Sequence, residues 1–445
     1  MYYKYYFLLI YFLFVLIACE ETSKHTDKAN LIDDTSLSVD GDSLTTPVDP
    51  VSFISTPETR VPLGAVLPED VQQIADSNNQ FGFKFYQEYI AQQEVLNNNL
   101  VFSPWAMSIP LTMLYQGSRA TTAEQIQTLM QYQNTKPMTN QAMNELDGWF
   151  RESASSADKV RYQLTNSLWI QEDFPIQQDY IDVLTQYYQV EGHQLDMANQ
   201  PLAASQRINE WVNLASNGEF TRLLEAKDIS PLTVLIEITV LSFKAKWLNG
   251  FHPSSTIPRP FTLLDNTEVT IDMMLGFDSL DHARIANYQV LELPLEGRQF
   301  SMLLILPDLG DYLEVEAGLS RAMMNEIDAT LESKHVAFVL PKFDLSTKIS
   351  LIDLLTQLGM SDSFDGRANF GGISQSSIYI SKMGHNAKIS IDENGVSATA
   401  VTDVGASVTS ADVLEISFNR PFIFMIRDQR FKTILFLGRV LDPSI

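Results

Sequence analysis

Residues 393–410 read Glu-Asn-Gly-Val-Ser-Ala-Thr-Ala-Val-Thr-Asp-Val-Gly-Ala-Ser-Val-Thr-Ser, a linker-like composition laid out with the period of a strand. Val396, Ala398, Ala400, Thr402, Val404, Ala406 and Val408 fall on one face, small and uncharged. Ser397, Thr399, Val401, Asp403, Gly405, Ser407 and Thr409 fall on the other, which holds the stretch's only charge beyond Glu393. Such alternation suits a strand with one buried and one solvated side. No proline lies between Pro341 and Pro421, so every residue here keeps the N–H that a central strand must donate. Small side chains can also enter between elements that are already packed. The stretch reads as a loop able to become a strand, the alternative being a plain Gly/Ser/Ala/Thr connector.

Outward from it, the chain has 445 residues, 45% of them hydrophobic, enough for one large domain or two ordinary ones. Its 55 acidic residues against 30 basic ones leave a formal charge of -25. That excess repels phosphate backbones and offers few cations to release counterions, so nucleic acid is excluded as a partner. Met1 to Ala18 carries one charge, Lys4, then an apolar run from Tyr5, the layout of an export signal at residues 1–18. The run is short for a spanning helix, although an uncleaved anchor is the alternative. Leu16-Ile17-Ala18-Cys19 resembles the bacterial lipoprotein signal, which implies a lipidated Cys19 as the mature amino terminus and a membrane as partner. Cys19 is the chain's one cysteine, so no intrachain disulfide forms. Residues 19–69 are polar and rich in Ser, Thr, Asp and Pro, and are expected to be a flexible tether.

The folded part is expected over residues 70–445. Phe81, Phe85 and Tyr89 recur at helical spacing, Thr122 and Gln125 have capping-box spacing, and a helix around Ile208 to Leu214 closes at Asn217-Gly218. Strand-like runs are Asn99 to Ser103, stopped by Pro104, then Thr165 to Ile170, Val234 to Trp247, Phe300 to Leu306, Val336 to Leu340, Ile378 to Ser381, Ala387 to Ile391, Phe422 to Ile426 and Thr433 to Val440. Helices gather early and strands late, which predicts an α+β domain on mixed sheets.

Several spaced motifs stand out along the chain. They are Asn99-Leu100-Val101-Phe102-Ser103-Pro104, Asn209-x-Trp211-Val212 with Asn217-Gly218, and Phe243-Lys244-Ala245-Lys246-Trp247 with Phe251. Met273-Met274, Leu340-Pro341-Lys342-Phe343, Leu355-x-x-Leu358-Gly359-Met360, Phe418-Asn419-Arg420-Pro421-Phe422 and Phe436-Leu437-Gly438-Arg439-Val440 follow, and the motifs in this order resemble the serpin family of serine protease inhibitors. Ala245 departs from the usual glycine. The resemblance implies a metastable fold whose exposed reactive-centre loop is attacked by a serine protease, or also by a cysteine protease. The protease is trapped as an acyl-enzyme while the cut loop enters the main sheet. About 16 inserted residues at about 3.4 Å each correspond to a travel of about 50 Å. The alternative within the resemblance is a non-inhibitory serpin, a binding or chaperone-like surface lipoprotein.

In family register the hinge is Glu393, Gly395, Val396, Ser397, Ala398, Thr399 and Ala400, and the reactive bond Thr409-Ser410, with Val408-Thr409 and Ser410-Ala411 as alternatives. The hinge has no proline or inward charge, which favours an active inhibitor. Small or β-branched residues at the bond suit a protease with a shallow, elastase-like pocket. No Arg or Lys lies between Lys388 and Arg420, which argues against a trypsin-like one. The sheet-opening region is carried by His385, Ser103, Thr239, Trp247 and Lys342. Thr239 stands where the family has asparagine, and Ala106 where it has serine. A core histidine bonded to backbone is the plain alternative for His385, and a weak surface ion pair for Lys342 with Glu393. The six histidines form no zinc-type pair, and no nucleophile elbow or phosphate loop is present, so no enzyme, metal or cofactor is expected. A monomer is expected.

Overall fold

A computed structural model of the chain describes residues 7–19, 51–54, 61–64, 66–92, 98–157, 160–393 and 413–445. The hinge from Gly395 to Ala400 and the candidate bond at Val408, Thr409, Ser410 and Ala411 lie outside the described residues.

In chain order the strands are β1 (Phe7–Cys19), β2 (Val51–Ile54), β3 (Leu100–Phe102), β4 (Val160–Gln171), β5 (Val190–Leu195), β6 (Thr233–Ala245), β7 (Ile257–Thr262) and β8 (Glu268–Ile285). They continue with β9 (Tyr288–Pro294), β10 (Phe300–Pro307), β11 (Glu332–Pro341), β12 (Phe343–Ser350), β13 (Ile378–Ile391), β14 (Leu414–Ser417), β15 (Phe422–Asp428) and β16 (Ile434–Val440). The helices are α1 (Pro68–Ile90), α2 (Pro104–Gly117), α3 (Ala120–Met130), α4 (Lys136–Ser155), α5 (Gln178–Tyr188), α6 (Pro201–Ala215), α7 (Tyr312–Ala317), α8 (Arg321–Thr330) and α9 (Ile352–Gln357). This is the α+β domain on mixed sheets that the sequence predicts.

Local chemistry explains the main helices. Pro68 opens α1 with Glu69 and Asp70 in its first turn, where a fixed φ and negative charge both favour a helix start. Ser103 caps α2, its hydroxyl accepting from the Ala106 amide, and Pro104 follows at the first helical position. Apart from the half-buried Gln116 the residues of α2 are buried, so it is a core helix with apolar groups on all sides, packed against both sheets. The capping box expected from Thr122 and Gln125 is not made. Here α3 begins at Ala120, and both side chains reach across the fold, Thr122 accepting from the Asn369 amide and Gln125 from the Asp362 amide.

Two sheets carry the fold. The main sheet has the order β12-β13-β1-β6-β4-β5-β2, and the second β14-β11-β8-β9-β10-β15-β16-β3 with β7 on β8. The principal core fills the space around α1, α2, α4 and the second sheet. A smaller cluster of Trp169, Ile208, Val212, Ile236, Ile238 and Val240 seats α6 on the other face of the main sheet.

One strand expectation needs correction. The runs Ile378 to Ser381 and Ala387 to Ile391 are one strand, β13, whose polar middle (Lys382, Gly384, His385, Asn386) hides its continuity. Two contacts are described within the span expected to be a tether. Val51–Ile54 pairs antiparallel with β5, and the Gly64 amide donates to the Glu145 carboxylate at 2.8 Å. In the whole chain Phe7–Cys19 is a strand of the main sheet, antiparallel to both β6 and β13. An apolar run with no polar face matches a position between central strands buried on both sides.

Candidate functional site

The site is the slot between β6 and β13 together with the point where the chain leaves β13. Each residue of β6 except Lys244 is buried. It pairs with β4 on one side over Ile170↔Leu235 to Val160↔Ala245, and with β1 on the other over Ala18↔Thr233 to Phe7↔Ala245. Across β1, Leu13 is level with both His385 of β13 and Thr239 of β6, and Thr239 is level with Asn166 of β4. Four positions of four adjacent strands therefore form one row through the middle of the sheet.

Polar groups follow that row. His385 is fully buried, its Nε2 accepting from the Ser103 amide at 3.1 Å. That assigns the proton-free nitrogen to Nε2 and ties β13 to the start of α2. The Ser103 hydroxyl donates to the Leu435 carbonyl while capping α2, which links the row to β16. The Thr239 hydroxyl donates to Asn166 Oδ1 at 2.8 Å, and Asn166 Nδ2 donates to the Tyr188 carbonyl at 2.9 Å. So the structure brings His385 to Ser103 and Thr239 to Asn166. The bond of His385 to backbone is the plainer of the two readings that the sequence allows. Asn166 was missed in sequence; an asparagine inside an apolar strand run was the available signal.

At the end of β13 the chain is clamped. Lys342 Nζ lies 2.9 Å from Glu393 Oε2, and the Thr256 hydroxyl donates to Glu393 Oε1 at 2.6 Å. The Trp247 indole N–H donates to the Asp392 carbonyl at 3.0 Å. Glu393 is buried while Lys342 keeps part of its side chain in solvent, so the pair is not a plain surface bridge. Burial pushes the Glu393 carboxyl up, but the Thr256 and Lys342 contacts outweigh it and hold it below the usual carboxylate range. The same pairing raises Lys342 against its own desolvation. Thr256 and Asp392 were not singled out in sequence because their roles depend on strands distant along the chain.

One buried carboxyl in the slot was also missed. Glu237 of β6 is fully buried, accepts from the Tyr180 hydroxyl at 2.7 Å through Oε1, and leaves Oε2 with no hydrogen-bond partner among the described residues. Desolvation pushes it up to about 7, only partly opposed by Tyr180. Among the described residues, no group of three His, Cys, Asp or Glu side chains is placed to hold a metal ion.

What the arrangement can do is mechanical. The sheet accepts a strand between β6 and β13, and a segment folding back from Glu393 would run antiparallel to β13, the direction that β1 takes.

Comparison with known proteins shows the family. The family model described as serpin (serine protease inhibitor) matches residues 76–443. An uncharacterized serpin-like protein of Methanosarcina mazei is 31% identical over 83% of this chain and 88% of its own length. Human serpin B3 is 28% identical over 84% of this chain and 100% of its own. Among solved structures, native tengpin, a thermophilic serpin, superposes with a TM-score of 0.75 at 23% identity, covering 89% of this chain and all of that one. Uncleaved ovalbumin gives 0.75 at 24% identity, over 83% of this chain and all of its own. The motifs, the two sheets and the family match converge on one statement: this chain belongs to the serpin family of serine protease inhibitors.

Proposed function

We propose that the chain is a suicide inhibitor of serine proteases that works by inserting its reactive loop. The observation that carries this reading is the slot itself, a place in the main sheet that holds an antiparallel strand directly beside the strand from which the loop departs. The protease serine attacks the Thr409 carbonyl, and the Ser410 amine leaves with a proton from the protease. The resulting ester is carried away from the docking position as residues from Gly395 onward add to β13. The small, uncharged hinge supports insertion, since neither a buried charge nor a missing donor opposes it. The residues before the bond fit an elastase-like pocket. The -25 charge favours encounter with a basic protease and disfavours polyanionic cofactors.

We also propose export and anchoring through lipidated Cys19, with residues 1–18 removed. Intact mass of the native protein tests this, an unmodified mature terminus being the contrary result. A non-inhibitory role remains the competing reading, since uncleaved ovalbumin shares the fold. The deciding experiment uses the chain from Glu20 onward, because Phe7–Cys19 fills the slot in the whole chain. Incubation with a panel of serine proteases should give an adduct that survives denaturing gels, and a released fragment starting at Ser410. Loop cleavage with no adduct and no rise in melting temperature would reject the inhibitor reading.

A further inference from the structure

A cavity of about 370 Å³ opens where the β7–β8 turn, the loop after β10, the start of α7 and the segment between β14 and β15 meet. Its wall includes Leu263, Leu264, Pro307, Leu309, Leu313 and Arg420. The Thr262 amide donates to the Asn419 carbonyl at 2.8 Å, and Arg420 Nε donates to the Pro307 carbonyl at 2.8 Å. These bonds tie three of the segments together and leave the cavity open. Leu309 is 75% exposed and Leu313 66%, so the mouth is apolar as well as the wall. Such a volume, lined mostly by apolar groups with a few polar ones, is that of a small-molecule site. None of these residues borders the slot between β6 and β13, and strand insertion leaves the cavity without a role.

Charge chooses the ligand. Two charged side chains line the cavity, Asp308 and Arg420. Asp308 is already held by Arg284, whose Nη1 donates to its Oδ1 at 2.8 Å. Arg420 is half-buried and makes no ion pair among the described residues, its donors reaching the Pro307 carbonyl and Asn419 Oδ1. Burial lowers its guanidinium from the ordinary value, Asp308 offsets this only in part, and Arg284 adds to it. Two guanidiniums to one carboxylate leave a local positive excess on a chain whose formal charge is -25. A bound anion would replace the solvation that Arg420 has lost, and a carboxylate matches its planar fork. Asp308 in the same wall disfavours a second negative charge on the ligand. We propose that the cavity binds a small monoanionic amphiphile, a medium-chain carboxylate, with its head on Arg420 and its apolar tail along Leu263, Leu264 and Leu313. The site does not depend on the inhibitor reading: a chain that traps no protease would still bind the ligand.

The test titrates the full chain near neutral pH with hexanoate, octanoate and decanoate by calorimetry, with octanol as the neutral counterpart. Each carboxylate should bind saturably, and affinity should rise about fourfold per added methylene. Arg420→Gln should weaken octanoate about tenfold or more and change octanol less than about twofold. Leu313→Glu, at an exposed position where folding is not at stake, should weaken octanoate by a similar factor with the melting temperature unchanged. Saturable binding that neither variant alters would put the ligand elsewhere and overturn the site. No saturable binding by the unsubstituted chain would overturn it as well. Binding to phosphatidylglycerol vesicles that Arg420→Gln abolishes, with octanoate and decanoate unbound, would make Arg420 a membrane contact and overturn the proposal. A wild-type dimer that Leu313→Glu splits, with the carboxylates unbound, would make the mouth a self-interface and do the same.

Discussion

The two sheets solve the same problem of buried polar groups in opposite ways. In the second sheet buried charges are fully engaged. Arg427 on β15 lies 2.9 Å from Glu292 on β9 and 2.7 Å from Asp328, and Glu292 also accepts from Ser301 and Gln429. Arg439 on β16 pairs with Glu316, which also accepts from Tyr86 and Tyr312. Among the described residues, buried polar groups of the main sheet are thinly paired, with one side-chain bond each for Thr239 and Glu237 and one Glu237 oxygen unsatisfied. A fully satisfied network rigidifies, whereas a partly satisfied one leaves less to break when strands separate. The comparison teaches that this chain concentrates its locks in the second sheet and leaves the main sheet, where β6 and β13 flank the slot, loosely bolted.

The largest effect should come from removing residues 1–19. With Phe7–Cys19 in the slot, the loop has no open β6 and β13 edges to pair with, so a protease should cut it without forming an adduct. The chain from Glu20 should form the adduct. Equal adduct yields from the two chains would mean that β1 does not compete with the loop. Denaturing gels read the result directly.

Arg427→Leu should be the costliest point change, about 3–5 kcal/mol in urea melts, because it strands Glu292 in the core. Burial pushes Glu292 up, but Arg427 outweighs it and holds the carboxyl down at about 2. With the folded value below the unfolded one, this contribution is present above about pH 4.5 and is lost as pH falls toward 2. A variant melting within 1 kcal/mol of wild type would remove the contrast between the sheets.

Glu237 should behave with the opposite sign. Its folded value is raised, so stability is fully present below about pH 4.5 and declines as pH rises through 7. The loss is about 3 kcal/mol for a shift of this size. Glu237→Gln should flatten that decline in melts recorded from pH 5 to 9. A profile identical to wild type would place the decline elsewhere.

Lys342→Ala should have the smallest effect, about 1 kcal/mol, since the ammonium is partly solvated and Thr256 still holds Glu393. Its sharper signature is kinetic: with the clamp weakened, the hinge should insert faster, read as a lower inhibitor-to-protease ratio at full inhibition. An unchanged ratio would make the clamp purely structural.

Sequence alone sufficed for much of this. The buried strands announce themselves by β-branched apolar runs, as in Thr233–Ala245, and the end of α6 by Asn217 and Gly218, both with positive φ. The ordered motifs were legible because spacing is a local property. Tertiary structure decided the rest. The length of β13, the reach of Thr122 and Gln125 across the fold, and the docking of Val51–Ile54 depend on partners hundreds of residues away or on other strands. So does the position of Phe7–Cys19. An apolar run specifies that it will leave water, but only the available hydrogen-bonding edges of β6 and β13 specify where it goes.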